Sequence, residues 1–321
     1  MRKFLMNMRK IAVIDLGTNT FHILIARVEA DKVEILHREK VAVKIGEGGI
    51  NAQVIIEEAQ ARAISALRHF KAVADEYGVT EIYATATSAI RNASNREAIT
   101  DRIFQETGIR VKVISGEEEA ELIYGGVKQA MRLPQSNSLI MDIGGGSVEF
   151  IIADENQSYY KQSFEIGAQR LLDLFHHHDP ILPEEVERLE QYLQEQLRPL
   201  TEAVMRLKPV TLIGSSGSFD TLSDIYCNIL QLERDPAATE YPLTLESFFS
   251  IYHDLLAKSR QQRLETPGMI PLRVDMIVVA CCLIRFVVEE YQLTDIRVSS
   301  YALKEGLLQR VIQLQRVDFH S

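Results

Sequence analysis

The chain has 321 residues, 46% hydrophobic and 25% charged, with a formal net charge of −10. That length supports two domains with real cores, the composition excludes a disordered chain, and the negative charge argues against a general nucleic-acid binder, which shows a basic stripe. The N-terminal apolar run, residues 11–14, is too short for a signal-peptide core, and no segment offers the roughly 18 uncharged apolar residues of a membrane span, so a cytoplasmic protein off the membrane is expected. The three cysteines include the adjacent pair Cys281 and Cys282 in an apolar helical run, which reads as core packing rather than a disulfide or metal site.

In chain order, a strand over residues 11–15 ends in Gly-Thr-Asn-Thr and returns as a β-rich run over 21–28, followed by strand-like stretches at 33–37 and 41–45. Ala59, Ala63, Ile64, Leu67 and Phe70 recur at helical spacing within 56–77, and Gly78 is placed to stop that helix. A strand at 81–85, a helix near 95–107 and a strand at 111–114 complete an α/β unit, and a helix opens after Ser115. Residues 140–153, IMDIGGGSVEFIIA, then align without gaps on residues 13–26, VIDLGTNTFHILIA. Asp142 falls on Asp15, Gly144 on Gly17, Ser147 on Thr20 and Glu149 on His22, which predicts a duplicated fold with a cleft between its halves. The second half continues with a helix near 169–177 and a longer one over 183–207 kinked at Pro199. A strand at 210–213 runs into Gly-Ser-Ser-Gly-Ser, then a helical segment follows at 219–230. Helices around 245–258 and 273–291, a strand at 296–299 and a final helix from about 302 to 315 finish the chain.

Three glycine- and hydroxyl-rich turns follow strands: Gly17-Thr18-Asn19-Thr20, Gly144-Gly145-Gly146-Ser147 and Ser215-Ser216-Gly217. One such turn is as readily a plain hairpin. Three, two of them related by duplication and opening with an aspartate, predict phosphate binding, because glycine admits close backbone approach and consecutive N–H groups form an anion-binding concavity. Asp15 and Asp142, at strand ends, are candidate ligands, through water, for a Mg²⁺ ion; Glu149 is either a third such carboxylate or an exposed strand residue. Arg91, between a strand and a helix, and Arg273, in PGMIPLRVDM, are candidate phosphate clamps, against the usual case of functionless surface arginines.

The run Glu117-Glu118-Glu119 needs more than one explanation. Ser115 and Glu118 fit a capping box, and carboxylates favour a first helical turn. At about 100° per residue, however, Glu119 shares a side with Leu122, Ile123, Gly126 and Ala130, whereas Glu117, Glu118 and Glu121 share the arc of Lys128. A carboxylate within an apolar arc suits a general base at a water-filled cleft; the alternative is a rim residue with no role. His176, His177 and His178 point about 100° apart and cannot all bind one ion, so they read as a helix C-terminal cap.

With these pieces in place, the sequence closely resembles the Ppx/GppA family of exopolyphosphatases and guanosine pentaphosphate phosphohydrolases, within the actin-like ATPase superfamily. The resemblance runs from about residue 11 to 309 and rests on AVIDLGTNTFHILIARV, ATATSAIRNASN, ISGEEEAELIYGGV, IMDIGGGSVEFII, IGSSGSFDTL, TPGMIPLRVDMI and VSSYALKEGLL. It implies two duplicated ribonuclease-H-like α/β domains with an interdomain cleft, the first over residues 1–130 plus a closing helix at 302–321, the second over 131–301. It implies Mg²⁺-dependent release of terminal phosphate from inorganic polyphosphate. Glu119 matches the position of the family's proposed base, and His22 stands where relatives carry His or Arg, so the resemblance has it touch phosphate. The same residues would serve hydrolysis of guanosine pentaphosphate, or a sensor that binds polyphosphate or alarmone without turnover; an ATP-dependent kinase is disfavoured by the glutamate after Ser115. Two departures stand out: the helical domains of long family members are missing, so processive action on long chains is not implied, and the third turn reads GSSGS where relatives often have GTSGT or GASGT. A homodimer is a family expectation.

Overall fold

The computed structural model describes residues 8–29, 32–235 and 237–313, and the chain divides into two units, residues 1–115 with 307–321 and residues 116–306. In the first unit β1 (Arg9–Leu16), β2 (Thr20–Glu29) and β3 (Lys32–Ala42) form an antiparallel meander. It is followed by α1 (Glu57–Glu76), β4 (Glu81–Ala86), the one-turn α2 (Ser88–Arg91), α3 (Arg96–Thr107) and β5 (Val111–Val113). The sheet order is β3-β2-β1-β4-β5, with β1, β4 and β5 parallel. Helix α1 buries Ala59, Ala63, Ile64, Leu67 and Phe70, the stripe expected from their spacing, and Gly78 takes φ +65° just past its end, the left-handed conformation that glycine adopts without steric cost. The stretch at 33–37 and the start of that at 41–45 are one strand, β3, because β2 pairs with it from Thr20 to Glu29, with one irregularity between Ile25 and Ala26; residues 43–45 lie beyond its end.

The second unit repeats this plan. It holds α4 (Gly116–Ala130), β6 (Ser138–Ile143), β7 (Val148–Ala153), β8 (Ser158–Phe164), α5 (Ala168–Phe175), α6 (Pro183–Gln196), α7 (Arg198–Leu207), β9 (Thr211–Ser215) and α8 (Gly217–Leu230). β10 (Glu240–Tyr241), α9 (Leu245–Ala257), α10 (Arg260–Leu264), α11 (Met276–Glu290), β11 (Asp295–Ser299) and α12 (Leu303–Gln313) complete it, α12 running on past Gly306 into residues that group with the first unit. Its sheet, β8-β7-β6-β9-β11 with β10 added at the edge, has the order and strand directions of the first, so the fold is the duplicated ribonuclease-H-like α/β architecture. Apolar α11 is buried on nearly every side, Cys281 and Cys282 included, and both thiols are free. The segment 183–207 is two helices rather than one kinked helix: Pro199 lacks the N–H needed to continue α6, and it sits in the first turn of α7, where that N–H is not required.

The sequence-based boundary at 130/131 assigns α4 to the first half, whereas the contacts group it with the second, because α4 lies on β7 and β8. Residues 314–321 of the expected closing segment lie outside the described residues.

Candidate active site

Ligands of open α/β sheets gather beyond the C-terminal ends of the parallel strands. Both glycine turns lie there. Asp15 on β1 pairs with His22 on β2, and Asp142 on β6 pairs with Glu149 on β7, so the gap-free repeat is also a repeat of register. A methyl group added at Gly17 would lie 2.9 Å from the Thr20 carbonyl oxygen, and one at Gly144 would lie 3.0 Å from that of Ser147.

The carbonyls of these turns are drawn to one side. Those of Thr18 and Asn19 accept from the amides of Gly46, Val43 and Lys44. Those of Gly144, Gly145 and Gly146 accept from Ala168 (2.9 Å), Gln169 (2.9 Å) and Gly167 (3.1 Å) at the start of α5, and Arg170 Nε donates to the Gly146 oxygen at 2.8 Å. In a trans peptide the N–H opposes the preceding C=O. The amides of Gly145, Gly146 and Ser147 therefore turn away from α5, forming the concavity that an anion needs. Gly167 makes this possible, since a methyl there would lie 2.4 Å from the backbone of both Gly145 and Gly146.

The third turn is tied to Asp142. Ser215 Oγ donates to its Oδ2 at 2.6 Å, and Ser216 Oγ lies 2.8 and 2.7 Å from Oδ1 and Oδ2. Ser216 holds φ +70°, a left-handed conformation that costs a serine about 1–3 kcal/mol and that its bond to Asp142 helps to retain. The Arg273 guanidinium lies on the following residue: a methyl at Gly217 would come within 2.2 Å of Nη2. Arg273 keeps some exposure, and burial lowers its pKa against the opposing pull of Asp220 and Asp142.

Glu119 is 6% exposed, in company with buried Leu122, Ile123 and Ala130, while Glu117, Glu121 and Lys128 are exposed. Its helix is seated through glycine, because a methyl at Gly116 would lie 2.5 Å from Ser163 Cβ. Ser163 sits opposite Glu149 in the β7–β8 ladder and donates to its Oε1 at 2.6 Å. Glu149 is 1% exposed, which excludes the reading of it as an exposed strand residue. Burial, then the charges of Glu119 and Asp142, push its carboxyl well above the usual range, opposed by Ser163 and Ser147. Burial also raises Asp142, against Ser215, Ser216, Lys304 and Arg273. The charges of Glu119 and Asp142 thus both oppose ionisation of buried Glu149.

In the first unit Thr18, Asn19 and Thr20 are buried, and His22 is half-buried. Arg91 closes α2, the turn of helix directly after β4, whose Thr85 pairs with Asp15; its Nη1 is 3.4 Å from the Ile114 carbonyl oxygen. Among the described residues no three His, Cys, Asp or Glu side chains converge to hold a metal ion. The oxygen-only donor set suits a hard divalent cation, and the like charge that Glu119 and Asp142 set against Glu149 is what a cation would relieve. The serine hydroxyls on Asp142 favour contact through water. In the histidine run, His177 Nε2 is 3.0 Å from the Leu174 carbonyl oxygen at the end of α5, as a cap would be, whereas His178 Nδ1 is 3.0 Å from Glu185 in the first turn of α6.

Sequence reasoning missed Ser163, Gly167, Arg170, Asp220 and Lys304. Only Lys304 carried a visible signal, as the cation of SYALKEGLL; the others are brought to the site by strand register and helix packing.

A model of the Ppx/GppA phosphatase family matches residues 24–315. The chain belongs to the Ppx/GppA phosphatase family. Among solved structures, an exopolyphosphatase from Cytophaga hutchinsonii is 45% identical to this Ppx/GppA phosphatase, covers 98% of this chain and 100% of its own, and superposes with a TM-score of 0.93. The Ppx/GppA family member from Aquifex aeolicus is 25% identical, covers 97% of this chain and 100% of its own, and gives a TM-score of 0.78. No described helix is long and apolar enough to cross a membrane.

Proposed function

We propose that this protein is an exopolyphosphatase, hydrolysing the terminal phosphoanhydride of inorganic polyphosphate with Glu119 as general base. The observation that carries the reading is buried Glu119, set with Glu149 and Asp142 in the unit whose Gly145, Gly146 and Ser147 amides form an anion concavity. The similarity to a named exopolyphosphatase across the whole chain supports it. Glu119 orients a water and accepts its proton as the water oxygen bonds to the terminal phosphorus. The bond from that phosphorus to the bridging oxygen breaks, and the shortened chain leaves with the bridging electrons. The turn amides hold the phosphoryl oxygens, and Arg273 adds positive charge beside them. The turn of the first unit, with His22 and Arg91, binds phosphate in the same way. In the second unit Asp142 and Glu149 would hold Mg²⁺ through water, and the ion would supply charge neutralisation for those oxygens; Asp15 stands at the corresponding place in the first unit.

The test is phosphate release by the purified protein with Mg²⁺ on short polyphosphate, long polyphosphate and guanosine pentaphosphate. Release from polyphosphate is expected. Release from the nucleotide alone would move the activity to that substrate, and binding without release from any of the three would make the protein a sensor.

A further inference from the structure

Arg263, on α10, is the largest fully buried side chain among the described residues, at 1% exposure. A guanidinium so placed is costly unless its donors are met. Three segments meet them: Nε donates to the Val274 carbonyl oxygen at 3.0 Å, Nη1 to that of Lys258 at 2.7 Å, and Nη2 lies 2.8 Å from Asp179 Oδ1. The other Asp179 oxygen accepts from the Arg260 amide at 2.6 Å, and Arg260 Nε donates to Asp275 Oδ1 at 2.8 Å. What these contacts hold is the backbone that carries Arg273. The Arg273 amide donates to the Ile270 carbonyl oxygen at 2.9 Å, its own carbonyl accepts from the Ile277 amide at 2.8 Å, and the next carbonyl is the one that Arg263 takes. Upstream, Gly268 at φ +92° lies against α8, where a methyl would come within 2.6 Å of the backbone of Asp224 and Ile225. The segment 266–275 is thus pinned before, at and after Arg273, whose guanidinium covers Gly217 in the third turn.

We propose that Arg263 is a positioning residue for phosphate hydrolysis: by fixing the Val274 carbonyl relative to Asp179 and Lys258, it sets the Arg273 guanidinium on the third turn. A buried ion pair seldom adds stability over apolar packing of the same volume, whereas a planar fork holds three oxygens in one fixed relation. That relation matters where Arg273 adds charge beside the phosphoryl oxygens, because a displacement of about 1 Å at such a group costs about 10²-fold in rate. The proposal rests on the exopolyphosphatase reading and names what keeps its arginine in place.

The experiment measures phosphate release from tripolyphosphate with Mg²⁺ for wild type, Arg263→Met, Arg273→Met and the double variant, at a temperature where melting curves show each of them folded. Arg263→Met should lower kcat/KM about ten- to hundredfold in the wild-type background and leave it nearly unchanged in the Arg273→Met background, because a residue that acts through Arg273 then has nothing left to position. A purely structural role would not produce that difference between backgrounds. A lower melting temperature with kcat/KM unchanged, an equal loss in both backgrounds, or wild-type kinetics in Arg273→Met overturns the proposal. If Arg263→Met does not fold, Asp179→Asn, at a partly exposed position, takes its place in the same cycle. If wild type releases phosphate from neither tripolyphosphate nor long-chain polyphosphate, the exopolyphosphatase reading has failed instead. The same cycle read in tripolyphosphate binding then decides for Arg263: a loss of affinity confined to the background that retains Arg273 supports the positioning role, and any other result overturns it.

Discussion

Glu149 is held where its charge is least welcome, at 1% exposure and facing Glu119 and Asp142. A carboxyl whose folded pKa exceeds its unfolded value stabilises the fold fully below the unfolded value, here 4.5, and loses that contribution as pH rises through the folded one. Glu149→Gln, neutral at every pH, should therefore unfold at a higher temperature than wild type at pH 8 in chelator, with the gain shrinking toward pH 4; melting curves at three pH values check this. The same substitution should lower phosphate release, a trade of activity against stability. Glu119→Gln should reduce kcat by about 10²–10⁴-fold while leaving the circular dichroism spectrum and tripolyphosphate binding intact, the size expected for a lost general base. Wild-type turnover by that variant would remove Glu119 from the mechanism.

Two glycines decide how the helices meet the site. Gly167 lets α5 approach the Gly144–Gly146 turn closely enough to take its carbonyls, and Gly167→Ala should cost about 1–3 kcal/mol in urea unfolding and weaken phosphate affinity, because the turn must shift. Gly116 seats α4 on Ser163. Gly116→Ala should displace Glu119 and lower kcat, and Ser163→Gly, which removes the obstructing Cβ, should restore helix position in the double variant. That rescue would be partial, since Glu149 loses the hydroxyl that donates to it. A double-mutant cycle in kcat reads the coupling directly, and strict additivity would show that the two positions do not touch in solution.

Across the whole molecule, two sets of carboxyls pull the pH optimum of stability in opposite directions. Asp142 and Glu149 are raised, and burial pushes Asp220 up to about 6, so their contributions are present in acid and fade as pH rises from about 4 upward. Glu185 is lowered to about 2 by the amides of Leu182 and His177 and by His178, against its burial, so its contribution is present above 4.5 and is lost as pH falls toward 2. The metal-free protein should accordingly melt highest near pH 5 and lower at pH 8, and millimolar Mg²⁺ should recover part of the loss at pH 8 by relieving carboxylate repulsion. A melting temperature at pH 8 indifferent to Mg²⁺ would count against a cation among these carboxylates.

Much of this architecture was legible in the amino-acid order, for a local reason. Strand alternation, helical spacing and the aligned Asp-X-Gly turns depend on neighbours within one or two turns of chain, so α1, the paired hairpins and the inward face of Glu119 could be read directly. The assignment of α4 to the second unit could not, because it depends on Gly116 meeting Ser163, 47 positions away along the chain. Likewise Ser163 beneath Glu149, Gly167 against the second turn, and Asp220 and Lys304 around Arg273 carry no periodic signature. Their place at the site follows from sheet register and helix crossing, which bring together residues that sequence spacing leaves unrelated.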